Sequence, residues 1–208
     1  LKICALDDAE GTLIAKDARS IPRKSVAEFS WVVGLPDKVR TESYFHVRYA
    51  SERGQVEGER ETQPIFHRPA SSGVYAAVAT FELARIGFND ISQTYALDEA
   101  ERLRRYRTFL ESVLHAYVEP SGAMRGTQNP HFLAFEGVVT LSHGVLPAPT
   151  ISPLAGDYQA QLQEVARALD GTGQLEVRPF ANMAEFAVHM KYALKNTRPY
   201  RLFASEGG

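Results

Sequence analysis

The chain has 208 residues, 44% hydrophobic and 10% aromatic, which suffices for a packed core and excludes wholesale disorder. No run approaches the ~20 apolar residues of a membrane helix, no secretory leader is expected, and one cysteine, Cys4, excludes an internal disulfide or a multi-cysteine zinc site. Twenty-three Lys+Arg against 25 Asp+Glu argue against a generally basic nucleic-acid binder but leave room for a local basic track.

In chain order, Lys2–Leu6 and Thr12–Ala15 flank the polar turn Asp7–Gly11 and read as a hairpin or two edge strands. Ala27–Val33 is β-branched and aromatic and is expected to stop at Gly34-Leu35-Pro36. Tyr44–Tyr49 alternates aromatic and polar residues, as a strand with one wet face does. Ser51–Gln63 is charged and nearly free of apolar side chains, so it reads as a mobile loop. Gly73–Leu83 reads as a buried strand closed by Gly87–Asp90. Asp98 is placed to cap a helix over Glu99–Val118, with Leu103, Tyr106, Leu110, Val113, Leu114 and Tyr117 at helical spacing and Pro120-Ser121-Gly122 as its stop. A strand at Ala134–Leu141, a rigid loop marked by Pro147, Pro149 and Pro153, a helix from about Gly156 to Leu169, a strand at Leu175–Phe180 and a helix over Met183–Leu194 complete an α+β pattern.

Catalytic signals are absent from this pattern. The six histidines form no His-x-x-x-His or Glu-x-x-His pair, so neither a metal nor a cofactor is expected. Cys4 lies in an apolar segment with no histidine nearby and reads as an inert thiol. Asp7-Asp8 sits where a turn favours aspartate, and Gly171-Thr-Gly173 is too short for a phosphate loop.

Binding signals are stronger. In Ile21–Ser25, the cations Arg23 and Lys24 stand beside hydroxyl and backbone donors and can lie along a phosphate backbone, although alone the segment reads more plainly as a solvated loop. Gly122–Pro130 combines two glycines with Arg125, the neutral donors Thr127, Gln128 and Asn129, and the pliable apolar Met124. A helix C-cap accounts for Gly122 but not for that polar sequel, so ligand contact is favoured. Arg102, Arg104, Arg105 and Arg107 cover more than one helix face, so some must point to solvent or pair with Glu99, Glu101 or Glu111.

Taken in order, Gln63-Pro-Ile-Phe-His-Arg-Pro-Ala-Ser-Ser-Gly-Val-Tyr-Ala76, Arg85-Ile-Gly-Phe-Asn-Asp90, the Arg-rich helix, Gly122-Ala-Met-Arg-Gly126 and Pro130-His131-Phe132 resemble the DevR-type CRISPR-associated autoregulator family. Arg23-Lys24-Ser25 with Phe29-Ser30-Trp31, and Phe45-His-Val-Arg-Tyr49, resemble its middle region; the likeness is close over Ile21 to Leu141 and looser beyond. The resemblance implies an α+β modified RNA-recognition-motif (ferredoxin-like) palm with inserted thumb and finger elements, forming one domain over 1–208. It implies a non-catalytic backbone subunit that polymerises along guide RNA (crRNA) in a type I antiviral interference complex in the cytoplasm. Its partners would be guide RNA, further copies of itself, the other complex subunits and target DNA through base pairing, with no membrane. Candidate RNA contacts are Arg23, Lys24, Arg68, Met124, Arg125, Thr127, Gln128 and Asn129.

Two departures stand out. The resemblance implies a first strand and helix that are expected to precede Leu1, and Met124-Arg125 stands where the family has consecutive basic residues. One alternative is a related subunit with metal-dependent RNA cleavage, for which Asp7, Asp8 or Asp90 would be the candidates. The other is a DNA-binding regulator, disfavoured because no helix-turn-helix with a basic recognition helix is visible.

Overall fold

The strongest helical pattern produces the spine of the molecule. In a computed structural model describing residues 2–16, 19–47, 65–120 and 131–202, α2 covers Glu99–Val118, and the Asp98 carboxylate accepts the Glu101 N–H at 2.8 Å as its cap. Its apolar stripe of Tyr106, Leu110, Val113 and Leu114 is buried with Val26, Ile86, Phe180, Phe186, Met190 and Ala193 in one core. Tyr117, Phe135, Phe180 and Phe186 add a cluster of aromatic rings at centroid separations of 5.2–5.5 Å.

By contacts the chain forms two compact units, one of residues 1–30 and 78–208 and one of Trp31–Ala77. The described residues contain four helices and five small antiparallel sheets of two strands each, a mixed α/β architecture. In the first unit, β1 (Thr12–Lys16) pairs β2 (Arg19–Arg23), and β3 (Ala27–Phe29) pairs β6 (Ala79–Phe81). A 3-10 turn at Leu83–Arg85 leads to the short hairpin of β7 (Phe88–Asn89) and β8 (Thr94–Tyr95). After α2, β9 (Gly137–Ser142) pairs β10 (Leu175–Phe180), with α3 (Tyr158–Leu169) between them in sequence and α4 (Met183–Asn196) following.

The second unit is a hairpin of β4 (Val33–Val47) with β5 (Ile65–Ala76), whose register shifts between Gly34 and Val39. Asp37 takes a left-handed φ of 59° in that bulge. Opposite it, Gly73 has φ 149°, and a Cβ there would collide with the Lys38 carbonyl oxygen, so the position requires glycine. The hairpin leaves the first unit at a clasp in which Ser30 N–H donates to the Val78 carbonyl at 2.8 Å and Val78 N–H to the Ser30 hydroxyl at 2.9 Å.

Four expectations are corrected. Lys2–Leu6 and the turn after it give way to a short helix, α1 (Ala5–Ala9), because Asp8 is drawn into a buried ionic site. Ala27–Val33 is not one strand: Ala27–Phe29 belongs to β3, and Val33 opens β4, which absorbs Gly34-Leu35-Pro36 in its bulge rather than ending there. Gly73–Leu83 splits between β5 and β6 at the clasp, and within it Gly73–Tyr75, Ala77 and Thr80 are exposed while Ala76 is buried. Arg23 closes a strand, β2, instead of lying in a loop. By contrast, α2 and β10 have the expected bounds, and α3 and α4 differ from theirs by two residues at one end. Ser51–Gln63 lies outside the described residues.

Candidate nucleic-acid interface

Arg23 stands at the end of β2, and its guanidinium is turned inward with only 8% of the side chain exposed. Nε donates to the Asp8 carbonyl at 3.3 Å; Nη1 reaches the Phe88 carbonyl at 2.6 Å and Asp90 at 3.1 Å; Nη2 reaches the Asp8 carboxylate at 2.6 Å and the Asp8 and Arg85 carbonyls at 3.1 and 3.0 Å. All three guanidinium nitrogens are thus engaged inside the protein. Arg23 positions its neighbours in this conformation, while the next residue is the one presented outward. Lys24 is 67% exposed and pairs with Glu28 one strand-start away, and that pair lowers the Glu28 pKa through the Lys24 hydrogen bond and charge.

The carboxylate that anchors Arg23 also organises α2. Asp8 is 1% exposed; its Oδ2 accepts from Arg105 at 3.1 Å, and both oxygens accept the Gly87 N–H at 2.9 and 3.0 Å. Burying a carboxylate this way is tolerated only when every lone pair is met. Gly87 allows the approach with φ 74°; a Cβ there would come within 2.9 Å of Leu97 and 3.1 Å of Arg102.

The carbonyls of residues 84–88 are then consumed one after another. Ala84 accepts from the Tyr95 hydroxyl at 3.0 Å, Arg85 from Arg23 at 3.0 Å, Ile86 from Arg102 at 3.2 Å, Gly87 from Ala96 N–H at 2.8 Å and Phe88 from Arg23 at 2.6 Å. Arg102 is fully buried, stacks 3.7 Å from the Tyr95 ring centroid, and donates to Glu99 at 3.0 Å and to the Tyr200 carbonyl at 3.2 Å. Burial works against the Arg85 charge, and Asp90, at 2.9 Å, outweighs it and holds the guanidinium above its ordinary pKa. The arrangement cross-links α1, β2, the 84–90 turn and the first turns of α2, and so fixes the backbone on which Lys24 stands.

Of the sequence-derived candidates, Arg23 and Lys24 therefore sit together on a rigid support, one inward and one outward. Arg68 belongs to the second unit, where its backbone pairs with Tyr44 in the β4–β5 register. Met124, Arg125, Thr127, Gln128 and Asn129 lie outside the described residues. Asp8 and Asp90, considered above as metal-binding carboxylates, are both occupied by arginines. Sequence reasoning missed the structural role of Arg85, Arg102 and Arg105. The available signal was spacing: Arg102 lies four residues before Tyr106, and Arg105 four before Phe109, on the apolar side of α2. The expectation that some arginines pair with glutamates holds for Arg102–Glu99, Arg104–Glu101 and Arg105–Glu101, whereas Glu111 pairs with Lys191.

No helix among the described residues is long and apolar enough to cross a membrane. No curated protein matches the chain. A family model described as CRISPR-associated negative auto-regulator DevR/Csa2 matches residues 1–163, well over half of the 208. With the sequence segments and that match in agreement, the chain belongs to the DevR/Csa2 family of CRISPR-associated proteins.

Proposed function

We propose that this protein is a non-catalytic guide-RNA-binding backbone subunit of a type I CRISPR interference complex, built on a modified RNA-recognition-motif palm. The observation that carries the reading is the family match over residues 1–163. Two features of the molecule support it. Lys24 is an outward cation on a support that Arg23 and Asp8 hold rigid, which suits backbone-directed phosphate contact. The β4–β5 hairpin carries Arg40, Tyr44 and Phe45 on exposed positions, and Ala76 is the one buried residue among its described positions. An isolated two-stranded ribbon is marginal in water, so such an element suits a role against a partner, where aromatic side chains can stack on bases.

In this reading each copy holds a short stretch of RNA, with Lys24 and the Met124–Asn129 segment on the phosphates. Neighbouring copies and the other subunits of a cytoplasmic complex would flank it, and target DNA would be reached through base pairing by the guide. Seventeen of the 23 cations are arginine (23 less six lysines), a residue suited to planar, bidentate phosphate contact.

Filter binding of single-stranded RNA to the full chain tests the site. Lys24→Ala with Arg125→Ala is expected to weaken binding about tenfold or more and to flatten the salt slope by roughly one per cation removed. An unchanged affinity and slope would reject these contacts, and tight binding of duplex DNA without RNA would favour the regulator instead.

A further inference from the structure

Beyond the Lys24 site, α2 and α4 carry a row of cations that the proposed function does not use. The two helices run antiparallel: the Tyr106 hydroxyl meets the Thr197 hydroxyl, Lys191 meets Glu111 at 3.0 Å, and the Tyr117 and Phe186 rings lie 5.5 Å apart. Arg107 is one turn before Glu111 and Lys195 one turn after Lys191. The antiparallel crossing therefore brings both to the next rung of the same surface stripe, about 5.4 Å along. Arg104 follows one turn before Arg107, and Arg198 follows just past the end of α4.

Charge on the stripe is not balanced. Arg104 is held by Glu101, which also serves Arg105, and Lys191 by Glu111. Arg107, Lys195 and Arg198 are exposed, and none is paired with a carboxylate among the described residues. From Glu111 to Arg104 the stripe offers no aromatic anchor of the kind that protein interfaces use, so single charges at regular intervals are what it presents. Its side of α2 is also distinctive. Arg105 faces Asp8 and the Arg23 support, and two residues of helix turn Arg107 by about 200° to the opposite face.

We infer that the α2–α4 stripe binds the phosphodiester backbone of a second nucleic-acid strand, on the face of α2 opposite the guide-RNA support, through Arg107, Lys195 and Arg198. The kind of partner rests on the reading proposed above. The stripe itself does not.

The test uses the full chain loaded with guide RNA and a fluorescent single-stranded DNA oligonucleotide with no complementarity to the guide. Arg107→Gln with Lys195→Gln is expected to weaken oligonucleotide binding about tenfold and to lower its salt slope by roughly two, with guide-RNA affinity unchanged. Arg167→Gln, on the exposed side of α3, serves as the control of equal charge per site and leaves oligonucleotide binding intact. The stripe is overturned if the double variant binds the oligonucleotide like the parent, or if Arg167→Gln weakens it as much per charge. Should the chain take up no guide RNA yet bind the oligonucleotide through Arg107 and Lys195, the guide-RNA reading falls and the stripe stands.

Discussion

Asp8 shows how much a single buried carboxylate can organise. With Arg23 and Arg105 on its two oxygens and Gly87 N–H between them, it ties three chain segments together at 1% exposure. Removing one partner of such a site leaves the others charged and unmet. Asp8→Ala is therefore expected to cost about 3–5 kcal/mol, read as a lowered urea midpoint, and Asp8→Asn, which keeps one acceptor, to cost less. A midpoint shifted by less than about 1 kcal/mol for Asp8→Ala would show that the arginines are not held by it. Acid sensitivity is expected at Glu101 and Asp170. Hydrogen bonds from Arg104 and Arg105 hold the Glu101 pKa at about 2, and the backbone N–H groups of Leu175 and Gln174 hold that of Asp170 at about 2. Both folded values lie below the unfolded ones, so their contribution is complete above about pH 5 and is lost as pH falls toward 2. A circular-dichroism titration at fixed ionic strength is expected to show stability declining over that window. A decline starting near pH 6 would assign acid sensitivity to other groups.

Among the elements, α2 and β10 were legible because their signals are local. A capping aspartate, a 3.6-residue apolar repeat and a proline stop define α2 without reference to anything else, and Asp98→Ala is expected to cost about 1 kcal/mol in a thermal melt. Elements set by distant partners were not legible. Lys2–Leu6 looks extended by composition, yet α1 forms because Asp8 must reach Arg23 and Arg105, 15 and 97 residues away. The candidate site was half legible for the same reason. Two adjacent cations mark Arg23-Lys24 in the sequence, but that one points inward depends on the Arg85 and Phe88 carbonyls, 62 and 65 residues away, and on the Asp90 carboxylate, 67 away. Gly73–Leu83 reads as one strand because nothing in its composition marks the Ser30–Val78 clasp where the hairpin begins and ends. The hairpin in turn depends on Gly73. Gly73→Ala is expected to disrupt pairing around Val39, seen as faster amide exchange in β4 and β5 with the helical signal of α2 retained. Unchanged exchange in both strands would mean that the bulge adapts.

At the scale of the whole molecule, a near-neutral chain of net charge -2 is compatible with nucleic-acid binding because its charges are sorted by place. Arg23, Arg85, Arg102 and Arg105 are spent on internal carboxylates and carbonyls, while Lys24, Arg107, Lys195 and Arg198 face outward. Summed charge therefore says little about binding here, and the surface cations are the quantity to follow. The measurement that bears most directly on the guide-RNA reading is the sequence of the nucleic acid that co-purifies with the full-length protein from cells carrying its CRISPR locus. A uniform short RNA with a repeat-derived end is the predicted result; duplex DNA, RNA of random sequence or protein free of nucleic acid would contradict it.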